Sequence, residues 1–291
     1  MRTTIESAFL RVSVESFGAE MMSVEDKRTG REYLWHGDAE WWKRRSPVLF
    51  PCVGSLWNKV TRIKGKEYSM GQHGFARDME FERVAYSDNR LVYSLKSNKE
   101  SLAHYPCCFE LQIGYTLQEN TLSVDYLVCN QGEEEMPFQI GAHPAFVMPE
   151  WDEDHNVLGY ARLKGTAPFV VSRVGEKGCI SRSVGSLNAQ EIAITRQTFD
   201  SDAIVFESPA PEEVVLTDFA NNPLLRLSAN CPSLGIWSPG KGKYSPFVCI
   251  EPWWGRADWE NYEGEFCDRD YVNILRPGES KRFCWKLEIM G

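Results

Sequence analysis

The length, composition and charge of the chain set the first limits on its structure and its partners. Its 291 residues are 43% hydrophobic and 25% charged, as in an ordinary globular protein with a sizeable core. The formal net charge of −9 argues against a nucleic-acid partner, because phosphate backbones bind clustered Lys and Arg. No apolar run reaches the roughly 20 residues of a membrane helix, and residues 1–6 are too polar for a signal peptide. We therefore expect a cytoplasmic protein without a membrane partner.

The predicted secondary structure is almost entirely strand. Segments with period-two alternation recur along the chain, and Gly, Asn or Asp separates many of them. The predicted strands are 9–17, 21–26, the two arms of a hairpin at 62–68, 81–86, 90–95, 109–117, 121–128, 203–206, 213–217, 224–229, 247–250 and 280–289. Residues 48–54 are an apolar run that ends in a glycine turn. So many strands predict an all-β fold, a large sandwich of stacked antiparallel sheets, in a single domain over residues 1–291.

Two segments differ from this pattern. Residues 38–45 follow a glycine and precede Ser-Pro, and they are predicted to form a brief helix. Residues 151–199 are rich in Gly and Ser, so a looser structure is expected there, with the acidic cluster at 152–154 in a solvated loop.

The nine cysteines are scattered and form no Cys-x-x-Cys pair. This distribution favours reduced thiols, mostly in the core, over a disulfide framework or a zinc site. A catalytic cysteine is the alternative. With no glycine-rich phosphate loop in the chain either, neither a metal nor another cofactor is expected.

A single carboxylate interrupts the apolar segment at 247–255. Glu251 follows four apolar or thiol residues and precedes Pro252, which lacks an amide hydrogen, so the strand is expected to end at Glu251. A carboxyl at the mouth of an apolar site has a raised pKa and is a better proton acceptor. Trp253 and Trp254 offer flat faces on which a sugar ring packs. The alternative is a glutamate paired with an arginine beside two core tryptophans.

Two histidines occupy settings like that of Glu251. His73 lies in GQHGFARD at 71–78, and His143 lies in FQIGAHPAF at 138–146, where an apolar run meets a proline. A histidine near a strand end is more often structural than catalytic, yet three polar residues in similar settings predict one shared cleft. The remaining histidines are interpreted as surface or packing residues: His36, His104 and His155.

Three motifs resemble the aldose 1-epimerase family of galactose mutarotase-like proteins, most closely its lactose-operon-associated branch. They are HGFARD at 73–78, AHPAF at 142–146 and IEPWWG at 250–255. Further similar pieces follow in the family's order at 47–51 with Gly54, 105–106, 202–206 and 275–279. The resemblance therefore covers nearly the whole chain, and it implies a galactose mutarotase-like supersandwich, in agreement with the predicted strands.

The resemblance also implies roles for single residues. Glu251 matches the general base that removes the proton of the anomeric hydroxyl, and His143 matches the general acid that protonates the ring oxygen. His73 matches a histidine that holds the ring oxygen or its neighbours, and Asp202 matches an aspartate that binds sugar hydroxyls. The expected activity is interconversion of the α and β anomers of a free hexose such as galactose or glucose, without cofactors.

One position departs from the family pattern. The family often carries an arginine after the glycine that follows the Phe-Pro motif, where this chain has Ser55. Arg45 or Arg77 is a candidate replacement for contact with the sugar, so substrate preference is the property most affected. For Arg77 the alternative is an ion pair with Asp78.

Three other functions compete with a free-hexose mutarotase. The first is a carbohydrate-binding protein without turnover, and the second is a glycoside hydrolase using Glu251 and Asp202 as its carboxyl pair. The third is a mutarotase for a sugar phosphate, which needs a cationic pocket; the notable basic run is 43–45. A small monosaccharide is the expected partner, and the sequence carries no signal for an oligomeric state.

Overall fold

A computed structural model describes residues 1–148, 156–240 and 245–291. The predicted acidic loop at 152–154 and His155 lie outside the described residues. Up to residue 148 the strands are β1 Arg2–Glu6, β2 Leu10–Glu15, β3 Met21–Asp26, β4 Arg31–Glu32, β5 Val48–Leu49, β6 Val60–Ile63, β7 Lys66–Ser69, β8 Glu82–Ser87, β9 Arg90–Lys96, β10 Phe109–Gln118, β11 Thr121–Asn130, β12 Met136–Phe138, β13 Ile140–Ala142 and β14 Ala145–Val147.

The strands after residue 155 complete the set. They are β15 Gly159–Lys164, β16 Phe169–Val174, β17 Ile180–Leu187, β18 Glu191–Ile194, β19 Ile204–Phe206, β20 Glu213–Asp218, β21 Pro223–Ala229, β22 Ser233–Trp237, β23 Phe247–Trp254, β24 Asn273–Leu275 and β25 Ser280–Ile289. Within residues 1–148, 156–240 and 245–291, helical structure is limited to α1 Lys99–His104 and the 3₁₀ turns Trp57–Lys59, Ala76–Asp78, Glu176–Gly178 and Phe266–Asp268. Among the described residues, none of these helices has the length and apolar character to cross a bilayer.

Two large antiparallel sheets dominate the architecture, as the alternating pattern predicts. One has nine strands in the order β18-β15-β20-β21-β25-β11-β10-β9-β8. The other has eight, in the order β17-β16-β19-β22-β23-β13-β5, with β14 also paired to β23. A four-stranded sheet, β1 to β4, and the hairpins β6-β7 and β12-β24 complete the fold. The predicted hairpin at 62–68 is confirmed, with Gly65 in its turn at φ +73°.

Two local predictions are wrong. Residues 38–45 form turns rather than a helix, and the amides of Trp41 and Trp42 both donate to the carbonyl of Asp38. The expected loose region contains four strands, β15 to β18. β17 and β18 are sheet edges, and β17 is mostly exposed, so Ser and Gly replace the hydrophobic alternation there.

The two faces of the eight-stranded sheet have different partners. On one face, the ring of Trp254 packs against Phe283 of β25, with 5.2 Å between ring centroids, which joins the two large sheets through the hydrophobic core. Side chains alternate along a strand, so Cys249, Glu251 and Trp253 point to the opposite face. That face carries the cavity described below.

β23 runs through Pro252, contrary to the expectation that it ends at Glu251. The amide of Ile250 donates to the carbonyl of Pro144, so by alternation the nitrogen of Pro252 faces the same neighbouring strand. Pairing on that side is interrupted between β13 and β14, so Pro252 costs the sheet no ladder hydrogen bond. Glu251 therefore lies in the middle of a central strand, where it pairs with Gly235 of β22.

Candidate active site

A cavity of about 290 Å³ lies on the outer face of the eight-stranded sheet. It brings together every site residue predicted from the sequence, although these residues are spread over 180 positions of the chain (73 to 253). The predicted residues that line it are His73, Arg77, His143, Asp202, Glu251 and Trp253. Its volume is at the small end of ligand pockets, which suits a single sugar ring better than an oligosaccharide.

His143 lies opposite Glu251 because β13 and β14, on either side of it, pair with β23 in the same register. Gly141 of β13 pairs with Trp253, and Ala145 of β14 pairs with Cys249, which leaves His143 across from Glu251. Opposed residues of an antiparallel pair point to the same face. Nε2 of His143 consequently lies 3.3 Å from Oε2 of Glu251, without the alignment of a hydrogen bond.

Burial shifts both groups toward their neutral forms. Desolvation raises the pKa of the Glu251 carboxyl well above its usual value, and the charge of Asp202 adds to the shift. Desolvation lowers the pKa of His143 to about 3, and the charge of Arg77 contributes in the same direction. An ionised Glu251 is thus a strong base, and a protonated His143 is a strong acid. Together they form an acid–base pair.

Two tryptophans that the sequence analysis did not assign to the site hold the imidazole of His143. Trp42 stacks on it with 4.7 Å between centroids at an interplanar angle of 27°. Trp237 meets it edge-on, at 5.6 Å and 84°. Both tryptophans also line the cavity. An aromatic residue in a strand or turn is equally typical of the core, so the sequence carried no signal that separates these two from core residues.

His73 presents its ring in a defined state. Its backbone has φ +65°, and its Nδ1 accepts a hydrogen bond from the amide of Gly54 at 3.1 Å. Burial lowers the pKa of His73 well below its usual value, so the ring is neutral. Since Nδ1 is the acceptor, Nε2 carries the hydrogen. His73 is therefore a hydrogen-bond donor on the cavity wall.

Of the two arginines considered as replacements at the Ser55 position, Arg77 reaches the cavity. Its Nη2 donates to the carbonyl of Gln72 at 2.7 Å, and Nε lies 3.7 Å from a carboxylate oxygen of Asp78, so the ion pair considered as an alternative is long. Arg45 instead donates to the carbonyl of Met22. Arg77 is the cation on the cavity wall among the described lining residues.

Asp202 lies at the rim of the cavity. It is exposed and has φ +70°, and its Oδ1 accepts from the amide of Ala203 at 2.7 Å. The carboxylate is thus held in a tight turn just before β19. This places an exposed acceptor beside the buried carboxyl of Glu251.

The two adjacent tryptophans of β23 have different positions. Trp253 lines the cavity, and its ring lies over Gly235, where a Cβ atom would be only 2.7 Å from the indole. Trp254 points into the core, where its indole nitrogen donates to the carbonyl of Asn230. The expectation that both offer a face to the sugar is therefore wrong for Trp254, because neighbouring residues of a strand point to opposite faces.

Comparison with known proteins identifies the family. The sequence model of the family described as aldose 1-epimerase matches residues 1–283. The chain belongs to this family. Within the family, the chain is similar to the chromosomal protein LacX of Lactococcus lactis subsp. lactis, with 32% identity over 303 aligned residues that cover 100% of both chains.

Solved structures confirm the galactose mutarotase-like sandwich of this aldose 1-epimerase family member. A galactose mutarotase related enzyme from Lactobacillus acidophilus superimposes with a TM-score of 0.94 at 31% identity, covering 100% of this chain and 98% of that one. A galactose mutarotase-like protein from Lactobacillus casei gives a TM-score of 0.94 at 27% identity, covering 99% and 100%. Family membership supports a carbohydrate epimerase in general terms.

Proposed function

We propose that the protein is an aldose 1-epimerase that interconverts the anomers of a free hexose, in a single domain of residues 1–291. The observation that carries the proposal is the opposed pair His143–Glu251, with its 3.3 Å separation and its two pKa shifts in opposite directions. Ring opening needs one proton acceptor and one proton donor at the anomeric centre, and this pair supplies both.

In the proposed reaction, Glu251 removes the proton from the anomeric hydroxyl while His143 gives a proton to the ring oxygen. The bond from C1 to the ring oxygen breaks, and its electron pair goes to that oxygen. The aldehyde turns about the C1–C2 bond, and the ring closes on the other face as the protons return. The neutral Nε2–H of His73 and the carboxylate of Asp202 are proposed to hold sugar hydroxyls, and the face of Trp253 to pack on the ring.

The proton count is the same for both directions of the reaction. After ring opening, Glu251 is protonated and His143 is neutral, which are the forms that burial favours. The empty site is therefore prepared for ring closure. Opening of a cyclic sugar begins with transfer of that proton from Glu251 to His143, and the 3.3 Å gap between them is short enough for it.

The same geometry makes the competing functions less favourable. The imidazole of His143 lies 3.3 Å from the carboxyl of Glu251, whereas a glycosidase uses two carboxyl groups across a glycosidic bond. Among the described lining residues the cavity has one cation, Arg77, whose charge is balanced by the carboxylate of Asp202, while burial favours the neutral form of Glu251. A doubly charged phosphate would meet no excess of positive charge, so the proposed substrate is unphosphorylated.

Polarimetry on freshly dissolved α-glucose and α-galactose tests the proposal. The protein is expected to bring the optical rotation to equilibrium faster than the spontaneous reaction, and Glu251→Gln to lower that rate by about 10²–10⁴-fold, because an amide accepts no proton. Glu82→Gln, on the exposed strand β8, is the matched control. Rotation traces indistinguishable from the spontaneous reaction, across a panel of free hexoses, would contradict the proposal. The remaining functions would then be sugar binding without turnover or anomerisation of a phosphorylated sugar.

A further inference from the structure

A third polar side chain, which the proposed reaction does not use, lies beside the acid–base pair. Cys249 precedes Glu251 by two residues on β23 and therefore points to the same face of the sheet. It is fully buried, and it pairs across the strand with Ala145, two residues from His143. The thiol is thus held next to both members of the pair by the same register that opposes them.

The spacing of the three side chains matches a metal site. One ligand atom from each of His143, Cys249 and Glu251 lies within 4.8 Å of the other two. The 3.3 Å between the imidazole and carboxylate atoms is close to the edge of a zinc tetrahedron, about 3.4 Å for bonds of about 2.0–2.1 Å. Imidazole, thiolate and carboxylate are the three ligand types that zinc takes in proteins.

The site also holds a polar atom that lacks another partner. Oε2 of Glu251, one of the two atoms of the 3.3 Å contact, is buried and has no hydrogen-bond partner within the part of the chain that the structure describes. The side chain of Glu251 is almost fully buried, and that of His143 is about nine-tenths buried. A buried polar atom without a partner is costly, and coordination of a cation offsets that cost.

We propose that His143, Cys249 and Glu251 bind a divalent cation such as Zn²⁺. The fourth coordination position of the cation is open to the cavity. Binding releases the protons of the thiol and the carboxyl to solvent, and the resulting anions neutralise the charge of the cation. The general acid and the general base of the proposed reaction are then both ligands of the metal. It inhibits the proposed anomerisation rather than assisting it.

The binding part of this inference rests on the ligand geometry alone, whereas the inhibition rests on the proposed function. His143 lies 106 and 108 residues before Cys249 and Glu251 in sequence, and the three residues do not form a Cys-x-x-Cys type of zinc motif. This explains why the scattered cysteines predicted no metal site. The two parts are separated below by one readout that is independent of activity and one that depends on it.

Titration with Co²⁺ tests the binding. The exposed thiols of Cys108 and Cys267 are first removed in a C108S/C267S background, because they are alternative ligands. In that background Co²⁺ is expected to give a near-ultraviolet thiolate-to-metal band and the intense visible bands of a tetrahedral site. Cys249→Ser should abolish the thiolate band, while Cys231→Ser, a buried cysteine outside the cavity, should retain it.

Calorimetry with Zn²⁺ gives the affinity of the same proteins. Cys249→Ser is expected to weaken binding by at least about tenfold. Cys249→Ala provides a second test if the serine variant folds poorly, and melting curves with and without Zn²⁺ report whether each variant is native. A thiolate band that survives both substitutions, or no such band in the C108S/C267S protein, would overturn the inference.

Anomerisation with and without Zn²⁺, relative to each variant's own metal-free rate, tests the inhibition. Zn²⁺ is expected to inhibit the Cys231→Ser protein at least about tenfold more strongly than Cys249→Ser. Metal binding together with absent metal-free turnover would support the site while contradicting the proposed function. Equal inhibition of both variants would show that the metal acts elsewhere.

Discussion

Nε2 of His143 lies 3.3 Å from Oε2 of Glu251, because β13 and β14 pair with β23 in one register. Burial lowers the pKa of the imidazole to about 3 and raises the pKa of the carboxyl well above its usual value, so the empty cavity favours the neutral form of both groups and one proton on the pair. This arrangement suits a reaction in which a proton leaves the anomeric hydroxyl and another proton reaches the ring oxygen. The predictions below follow from this pair and from the groups around it.

The pH dependence of anomerisation is expected to be flat through neutrality. The pair keeps a single proton between about pH 3 and the raised pKa of Glu251. Near pH 3 His143 is protonated as well, so the pair then carries two protons. Below this range no base remains, and above it no acid remains. Exchange NMR between the anomers, corrected for the spontaneous rate, measures the profile. A break in kcat/KM near the usual histidine pKa of 6.5 would contradict it.

The stability of the protein should depend on pH through the same two groups. The folded-state pKa of Glu251 is raised above 4.5, so its contribution is complete below that value and is lost as pH rises through the folded pKa. The folded pKa of His143 is depressed to about 3, so its contribution is complete above 6.5 and is lost as pH falls. Each pH unit within either window is worth about 1.4 kcal/mol per group.

Urea unfolding from about pH 5 to about pH 9 tests the Glu251 part of that dependence. Glu251→Gln is expected to flatten the alkaline loss of unfolding free energy, because its amide does not titrate. The exposed Glu82→Gln variant should retain the wild-type slope. Identical slopes in all three proteins would mean that Glu251 does not titrate abnormally in the folded state.

His73→Asn separates the two hydrogen-bonding roles of that ring. Asparagine tolerates the φ of +65°, and its Oδ1 can still accept from the amide of Gly54, so the fold should persist. The Nε2–H donor is lost, and KM should rise by about fivefold, which corresponds to one neutral hydrogen bond of about 1 kcal/mol. Steady-state kinetics measure it, with exposed His104→Asn as control. An unchanged KM would mean that His73 stabilises the fold and does not bind the substrate.

Gly178→Ala should narrow the cavity wall. A Cβ there would lie 2.6 Å from Oγ of Ser55, and Gly178 has φ +74° and lines the cavity. Gly30→Ala is a matched control, because Gly30 has φ +73° and nothing within 4 Å of a Cβ. Both should lose about 1 kcal/mol of unfolding free energy from the backbone, and Gly178→Ala somewhat more.

Activity distinguishes these two glycine variants. Only Gly178→Ala is expected to lower kcat/KM, and adding Ser55→Ala should recover part of the loss by removing the contacted hydroxyl. Kinetics of the two single variants and the double variant measure this coupling. Equal kcat/KM in the two glycine variants would place the Gly178 wall outside the substrate's reach.

Much of the sheet structure could be predicted because its central strands have one buried and one less buried face. β10 and β11 alternate between buried and less buried residues along their length, and both were predicted within two residues of their observed ends. The edge strand β17 has five exposed residues in a row, so it carries no such pattern. The passage of β23 through Pro252 depends on a gap in a neighbouring strand, which local sequence does not reveal.

The polar half of the cavity was predictable for a related reason. Glu251 and His143 interrupt apolar runs beside prolines. Polar residues in such a setting were therefore candidates for a functional site. Trp42, Trp237 and Cys249 were not predicted, because apolar and thiol side chains look alike in the core and beside a cavity. Their assignment requires the register that brings distant segments together.

The common register of β13, β14 and β23 constrains how this chain can change in length. Inserting or deleting one residue between Gly141 and Ala145 would turn His143 away from Glu251 or detach one half of the broken strand. The connections between strands carry no such restriction. Among related chains, the count from that glycine to that alanine is therefore expected to stay constant wherever the imidazole is kept, while neighbouring loops grow or shrink.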